Sequence, residues 1–239
     1  MLVERLRRFV HRQIAKRGYV RGNPAANMDT VMSRRRDVSV NTVVDVGASN
    51  GHWSGRMMRY FPDAKYLLIE AQEAVHGAAL AAFKKAHENV EYELCAAGAS
   101  EGEIHFDATD PMGGLASTTA FTKNDISVPV TTVDRLVERR GLRGPFLIKL
   151  DTHGFEVPIL EGASETLKKS SVLIIEAYNF TVCPGALRFY ELCQYLEPRG
   201  FRCADMFDLM VRPKDNIFWQ MDLVFLPTNH PVFESDSYR

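Results

Sequence analysis

Four acidic residues in this chain stand where an apolar run gives way to a turn. Asp45 lies within Val43-Val44-Asp45-Val46-Gly47-Ala48-Ser49-Asn50-Gly51, and Glu70 closes Tyr66-Leu67-Leu68-Ile69. Asp151 follows Phe146-Leu147-Ile148-Lys149-Leu150, with His153, Gly154 and Glu156 just beyond it, and Glu176 ends the run Val172-Leu173-Ile174-Ile175. A carboxylate set into an apolar strand is costly unless it has a partner. At the carboxyl ends of parallel strands it faces the crevice where open α/β sheets bind ligands.

Three kinds of ligand use a turn like the one after Val46. A dinucleotide needs G-x-G-x-x-G, but Gly47, Gly51 and Gly55 are spaced by four. A phosphate-cradling loop needs a Lys after its glycines, and none follows here. S-adenosylmethionine has no phosphate and carries an ammonium and a sulfonium, which a carboxylate at Asp45 suits. Gly47 and Gly51, with Ala48 and Asn50 between them, let such a ligand approach the backbone. Glu70, about 25 residues on and followed by Ala71, is placed to accept hydrogen bonds from both ribose hydroxyls, as acids do in dinucleotide folds. The plain alternative is a strand–turn–helix unit with capping acids.

These residues are positioned by an alternating chain. Strands are expected over about 43–47, 66–70, 90–95, 146–150 and 172–175, and helices over about 53–61, 73–87 and 187–197. Glu103–Phe106 reads as a short strand, 111–124 as a loop, and 126–130 as a second alternating stretch leading to a helix capped by Thr131 or Thr132. Phe201–Met206 and Met221–Leu226 read as a closing antiparallel pair. The expected architecture is α/β: a mostly parallel sheet, helices on both faces, and a hairpin at the end.

With 46% hydrophobic residues and a net charge of −1 the chain can bury a sizeable core and has no general bias toward nucleic acid. Cys95, Cys183, Cys193 and Cys203 form no C-x-x-C pair, so reduced thiols in a cytoplasmic setting are expected rather than structural zinc. No apolar run approaches the length of a membrane span. Residues 1–21 combine Leu2, Leu6, Phe9, Val10 and Ile14 at helical spacing with seven Lys and Arg, and no cleavage site follows. Such a helix lies on an anionic membrane surface, caps its own domain or packs in a homo-oligomer, and these alternatives stay open. A division at 1–37 and 38–239 is expected, with a short helix between Gly22 and Asp37 lying over the cofactor site.

Two stretches carry a resemblance. Asp45–Gly51, then Leu147-Ile148-Lys149-Leu150-Asp151-Thr152-His153-Gly154-Phe155-Glu156-Val157-Pro158-Ile159-Leu160-Glu161-Gly162-Ala163, with Val128–Asp134 between them, resemble the FkbM family of methyltransferases over roughly residues 41–228. The chain departs at His153, where the family usually has Glu or Gln. The resemblance implies a Rossmann-like methyltransferase fold with a seven-stranded sheet, S-adenosylmethionine as cofactor, and O-methylation of a sugar, glycolipid or other natural product. In methyltransferases of this shape Ala96 and Ala97, after the third strand, are where adenine sits.

Methyl transfer is an in-line displacement, so alignment of nucleophile and methyl is the protein's main task. An alcohol also needs its proton removed, and a neutral His suits that near pH 7. His153 is therefore the expected base and Asp151 its orienter. Ser117, Glu156, Glu176 and Tyr178 are the expected acceptor contacts. Asp151 and Glu176 could also hold Mg²⁺ or Ca²⁺. The expected partner is a small molecule with a free hydroxyl, not nucleic acid; the alternatives are a nucleic-acid methyltransferase, kept open by the basic N-terminal stretch, and a non-catalytic nucleotide-binding module.

Overall fold

The computed structural model describes residues 27–35 and 37–237. The basic helix expected over 1–21 lies outside the described residues. The order is α1 (Met28–Arg34), β1 (Thr42–Val46), α2 (His52–Met57), β2 (Lys65–Glu70), α3 (Glu73–Ala86), β3 (Val90–Leu94), β4 (Ala96–Ala97), β5 (Gly102–Asp107), β6 (Leu115–Ser117), β7 (Asp125–Thr131), α4 (Val133–Arg139), β8 (Phe146–Leu150), α5 (Glu156–Glu161), α6 (Ser164–Leu167), β9 (Ser170–Tyr178), α7 (Phe189–Leu196), β10 (Phe201–Val211) and β11 (Phe218–Pro227).

The main sheet has seven strands in the order β10-β11-β9-β8-β1-β2-β3. β3, β2, β1, β8 and β9 run parallel. β11 is antiparallel to both β9 and β10, which makes the closing hairpin. This is the Rossmann-like methyltransferase fold. The chain leaves β1 toward β2 and β3 on one side and returns through β8 on the other. The crevice for a ligand therefore opens beyond the carboxyl ends of β1 and β8. β1 and β8 are buried at all five positions, as expected for strands covered on both faces.

Alternation along the strands sorts the core into two layers. Val44, Val46, Ile148 and Leu150 pack on one face with Ile69, Ile159 and Leu160. Val43, Leu147, Ile174 and Val224 pack on the other with Met57 and Leu80. The short helix before β1 forms as α1, its Asn27 side chain accepting from Thr30 N at 2.8 Å. Its placement differs from expectation. Met28, Val31 and Met32 join the second layer, so α1 covers the face turned away from the cofactor site.

The expected third strand over 90–95 forms over Val90–Leu94, and the two alanines that follow it turn to another sheet. β3 stays with β2, while Ala96 and Ala97 leave to pair with β7. They open a second sheet of order β4-β7-β5-β6. β6 falls inside the expected loop; three residues are too few to show a period, and only pairing with β5 makes them a strand.

Candidate active site

Two turns meet at the crevice. Gly47, with φ +76°, follows β1, and its N–H donates to the Ile69 carbonyl at 2.9 Å. A Cβ on Gly47 would lie 2.0 Å from the Asp151 carbonyl oxygen, so no other residue lets the two turns approach this closely. Asp151 N donates back to the Val46 carbonyl at 3.0 Å. In the second turn His153 has φ +51° and Gly154 φ +104°. A left-handed histidine is held against its own preference, which surrounding structure must impose. Part of that structure is Glu156, whose Oε1 accepts from Gly154 N at 2.8 Å and Thr152 Oγ1 at 3.2 Å.

Between the two sheets lies a cavity. Val46, Gly47, Ser49, Ile69, Glu70 and Ala71 line one side, and Asp151, Thr152, His153, Phe155 and Ile159 another. Cys95, Ala96 and Ala97 form its far wall, and Phe106, Pro111, Met112, Gly114 and Ala116 its roof. Glu70 accepts from Ser49 N and from Gln72 N, each at 2.8 Å, one bond to each carboxylate oxygen. Each oxygen keeps a further lone pair. Gln72 also lines the cavity, and its Oε1 is buried with no donor. His76 Nε2 donates to the Pro111 carbonyl at 2.8 Å and ties down the roof.

A string of charges crosses the sheet beside this cavity. Asp45 is 0% exposed and Lys149 3%. Lys149 Nζ donates to Asp151 Oδ2 at 2.6 Å and lies 4.0 Å from Asp45 Oδ1. Asp151 Oδ1 is 3.4 Å from His153 Nε2, and Glu176 Oε2 is 3.5 Å from the same nitrogen. Tyr178 Oη and Gln220 Nε2 donate to the two oxygens of Glu176. Burial works against charge on Lys149, yet Asp151 and Asp45 hold its pKa up at about 12. Burial likewise opposes charge on Asp151, but Lys149 and His153 hold it well below the usual carboxylate range. Burial, joined by the charge of Asp151, pushes Glu176 up.

His153 Nδ1–H donates to the Gly114 carbonyl at 3.3 Å, which assigns the tautomer. Nε2 then faces two carboxylates. Burial would lower the pKa of His153, but Asp151 and Glu176 overcome this and raise it. Both ring nitrogens thus face acceptors, an arrangement that favours the protonated ring over the neutral one near pH 7.

A family model described as the methyltransferase FkbM domain matches residues 45–203. The chain belongs to this family. Among curated proteins none matches it. Among solved structures the FkbM domain is similar to the O-methyltransferase TomG of Streptomyces achromogenes in complex with S-adenosylmethionine, at 13% identity and TM-score 0.48, over 82% of this chain and 78% of that one. It is also similar to a putative O-methyltransferase from Klebsiella pneumoniae, at 16% identity and TM-score 0.47, over 82% and 76%. A third is a putative tRNA (m1A22) methyltransferase of Streptococcus pneumoniae in complex with S-adenosylmethionine, at 13% identity and TM-score 0.48, over 82% and 70%.

The FkbM domain brings Gly47, Glu70, Ala71, Ala96, Ala97, Asp151 and His153 together around one cavity. Asp45 is not among them. Val46 points into the cavity, so the residue before it faces the opposite layer, where Asp45 Oδ2 accepts from Ser54 Oγ at 2.7 Å. The direct contact to a cofactor ammonium expected of Asp45 is corrected on that ground. Three further residues expected at the cofactor lie outside the lining. Ala48 packs in the second layer, Asn50 Oδ1 accepts from His52 N at 3.0 Å, and Gly51 precedes α2 with φ +80°. Of the expected acceptor contacts, Glu176 and Tyr178 stand beside His153, while Glu156 is spent on its own turn. Ser117 Oγ turns to Thr119, and Ala116 lines the roof instead. Sequence reasoning missed Gln72, His76, the loop 111–114 and Lys149. Only Lys149 left a signal, as a cation in the otherwise apolar run Phe146–Leu150.

Proposed function

We propose that this FkbM domain transfers a methyl group from S-adenosylmethionine to a hydroxyl of a small molecule, with a sugar, glycolipid or other natural product as the acceptor. The observation that carries the reading is the pair of hydrogen-bond acceptors in the cavity, Glu70 with lone pairs to spare and Gln72 Oε1 with no donor at all. The ribose hydroxyls and adenine amino group of the cofactor are donors of the kind these atoms lack. Ile69, Ala96, Ala97, Phe106 and Phe155 offer the apolar walls a nucleoside needs. The near-neutral charge of the chain favours a small acceptor over nucleic acid.

When bound, the cofactor supplies a methyl group activated by its sulfonium. The chain's residues hold the acceptor and manage its proton. With Nδ1–H committed to Gly114, Nε2 of His153 is the atom that takes the hydroxyl proton, once the ring is neutral. Asp151 orients the ring, itself pinned by Lys149. Beyond Glu176 an aromatic wall, Tyr178 against Trp219 (5.8 Å) and Trp219 against Phe180 (5.2 Å), supplies the acceptor surface. The cavity holds about 90 Å³, against the roughly 300–1,000 Å³ of small-molecule sites, so a nucleoside needs its side chains to give way. Gln72 Nε2 donates to the Asp110 and Pro111 carbonyls at 3.3 and 3.2 Å, and these bonds with those of His76 and His153 hold the loop over the cavity.

The test is thermal unfolding with S-adenosylmethionine, its demethylated product or NAD. A specific ligand at about 100 times its Kd stabilises by about 2.7 kcal/mol. Both nucleosides are expected to raise Tm and NAD is not; the opposite result sinks the reading. A mass spectrum of candidate acceptors then identifies the one that gains a methyl.

One observation favours a second reading of the same trio. Asp151, His153 and Glu176 each present a ligand atom, all within 4.8 Å of one another, an arrangement that fits a divalent cation able to lower the acceptor hydroxyl's pKa. Turnover that survives EDTA dialysis removes it.

A further inference from the structure

We propose that Asp45 serves the site indirectly: it is the buried counter-charge of Lys149, and Lys149 is a positioning residue that holds Asp151 at the mouth of the cavity. The inference rests on the reading of that cavity as the cofactor's.

Three observations carry it. Asp45 and Lys149 are direct partners in the β1–β8 register, so their side chains leave the sheet side by side on the same face. The partner of Asp45 on its other side, in β2, is Leu68, and among the described residues Lys149 is the one cation within ion-pair distance of it. Asp45 Oδ2 takes the Ser54 hydroxyl and Oδ1 has no hydrogen-bond donor. Burial pushes the Asp45 carboxyl up and Lys149 and Ser54 work against it, so its charge depends on Lys149. Second, Lys149 Nζ takes the Oδ2 of Asp151 and leaves Oδ1 facing His153. The ammonium thus sets which way the Asp151 carboxylate turns. Third, the Trp53 ring lies 5.5 Å from Nζ, so Lys149 meets an aromatic face as well as its two carboxylate partners, with the charge of Asp222 acting from beyond them. A buried cation with one carboxylate partner on each side cannot swing away from either without being stranded.

A direct cofactor ligand and an indirect anchor differ in how substitutions combine. Calorimetric affinity for S-adenosylmethionine and for its demethylated product, with Tm alongside, is measured for Asp45→Asn, Lys149→Met, the double variant, Lys149→Arg and Asp151→Asn. Asp151 lines the cavity and is the carboxylate there placed to take the cofactor's ammonium, so Asp151→Asn is expected to weaken binding of S-adenosylmethionine tenfold or more, Lys149→Met to a similar degree, and Asp45→Asn by no more than about threefold. Adding Asp45→Asn to Lys149→Met is expected to cost no further affinity. It is also expected to raise Tm over the single variant, because the stranded buried carboxylate is gone. Lys149→Arg is expected to recover most of the affinity, which a loss of packing alone does not predict. Should Lys149→Met not fold, the double variant and Lys149→Arg carry the comparison.

The proposal is overturned if Asp45→Asn weakens binding as much as Asp151→Asn, or if its effect is the same with and without Lys149. It is equally overturned if Lys149→Met, or the double variant in its place, binds as the unsubstituted protein does. If the unsubstituted protein binds neither nucleoside, the functional reading fails instead. The Tm cycle between Asp45 and Lys149 still decides whether they are a coupled pair.

Discussion

The turn after β1 and the turn after β8 look alike on paper: an apolar strand, an acid, a glycine and then a helix. In space they do opposite work. Asp45 precedes Val46, the last residue of its strand, and is sealed inside at 0% exposure. Asp151 comes one residue after its strand ends and lines the cavity. A shift of two places relative to the strand end turns one carboxylate into part of the framework and the other into part of the site. Lys149 joins them, so the framework acid and the site acid share a cation. An acid near a glycine turn is therefore not enough to identify a ligand contact; whether it stands inside the strand or beyond its end decides.

The comparison is best broken at its chemical end first. His153→Ala is expected to lower kcat by about 10²–10⁴-fold, the usual worth of a positioned base, while leaving the affinity for the demethylated cofactor within a few-fold. Single-turnover rates with an identified acceptor check this, and an unchanged rate assigns the base elsewhere. Gly47→Ala is expected to cost about 2–4 kcal/mol, because a Cβ there meets the Asp151 carbonyl in a left-handed backbone. Urea denaturation measures it. A cost below about 1 kcal/mol, an ordinary surface value, means the two turns are not locked together.

Glu70→Gln is expected to weaken cofactor binding about tenfold, or about 1.4 kcal/mol, by turning one oxygen into a donor facing a donor. Calorimetry reads this directly. Glu70→Gln and Asp45→Asn with equal effects erase the distinction between site and framework acids.

The smallest effect is the dependence of stability on pH. The pKa of His153 is raised in the folded state from 6.5, so its contribution is whole below that value and lost as pH climbs through the raised one. The pKa of Asp151 is lowered from 3.8, so its contribution is present above that value and lost as pH falls through the depressed one. Stability from this pair is therefore greatest between about pH 4 and 6.5. Tm measured against pH is expected to decline on the alkaline side, and Asp151→Asn to flatten that decline. The activity profile is expected to rise with pH above the ordinary histidine range, since only the neutral ring takes a proton.

Much of the main sheet was legible because its strands are short apolar runs ended by acids and glycines. The hairpin was legible too, though shorter than it proved: Phe201–Val211 and Phe218–Pro227 extend well beyond the alternating cores that signal them. The second sheet was not. Ala96–Ala97 and Leu115–Ser117 have no period of their own and become strands only through partners distant in sequence. The site divided in the same way. Glu70, Asp151 and His153 end strands or begin turns, where side chains reach the crevice whatever their parity. Gln72 and His76 stand at the start of α3, and they meet the loop 111–114 because β5 and β6 bring that loop over the cavity, a placement that no local pattern announces.

By itself the sequence determined the strands of the main sheet, the two glycine turns and the FkbM resemblance, since each depends on residues near one another in the chain. Which acid faces the cavity, which one neutralises Lys149, and whether His153 carries a proton were decided by tertiary structure alone. Those outcomes depend on neighbours across strands and on the loss of water around charges, and neither exists until the sheet is assembled.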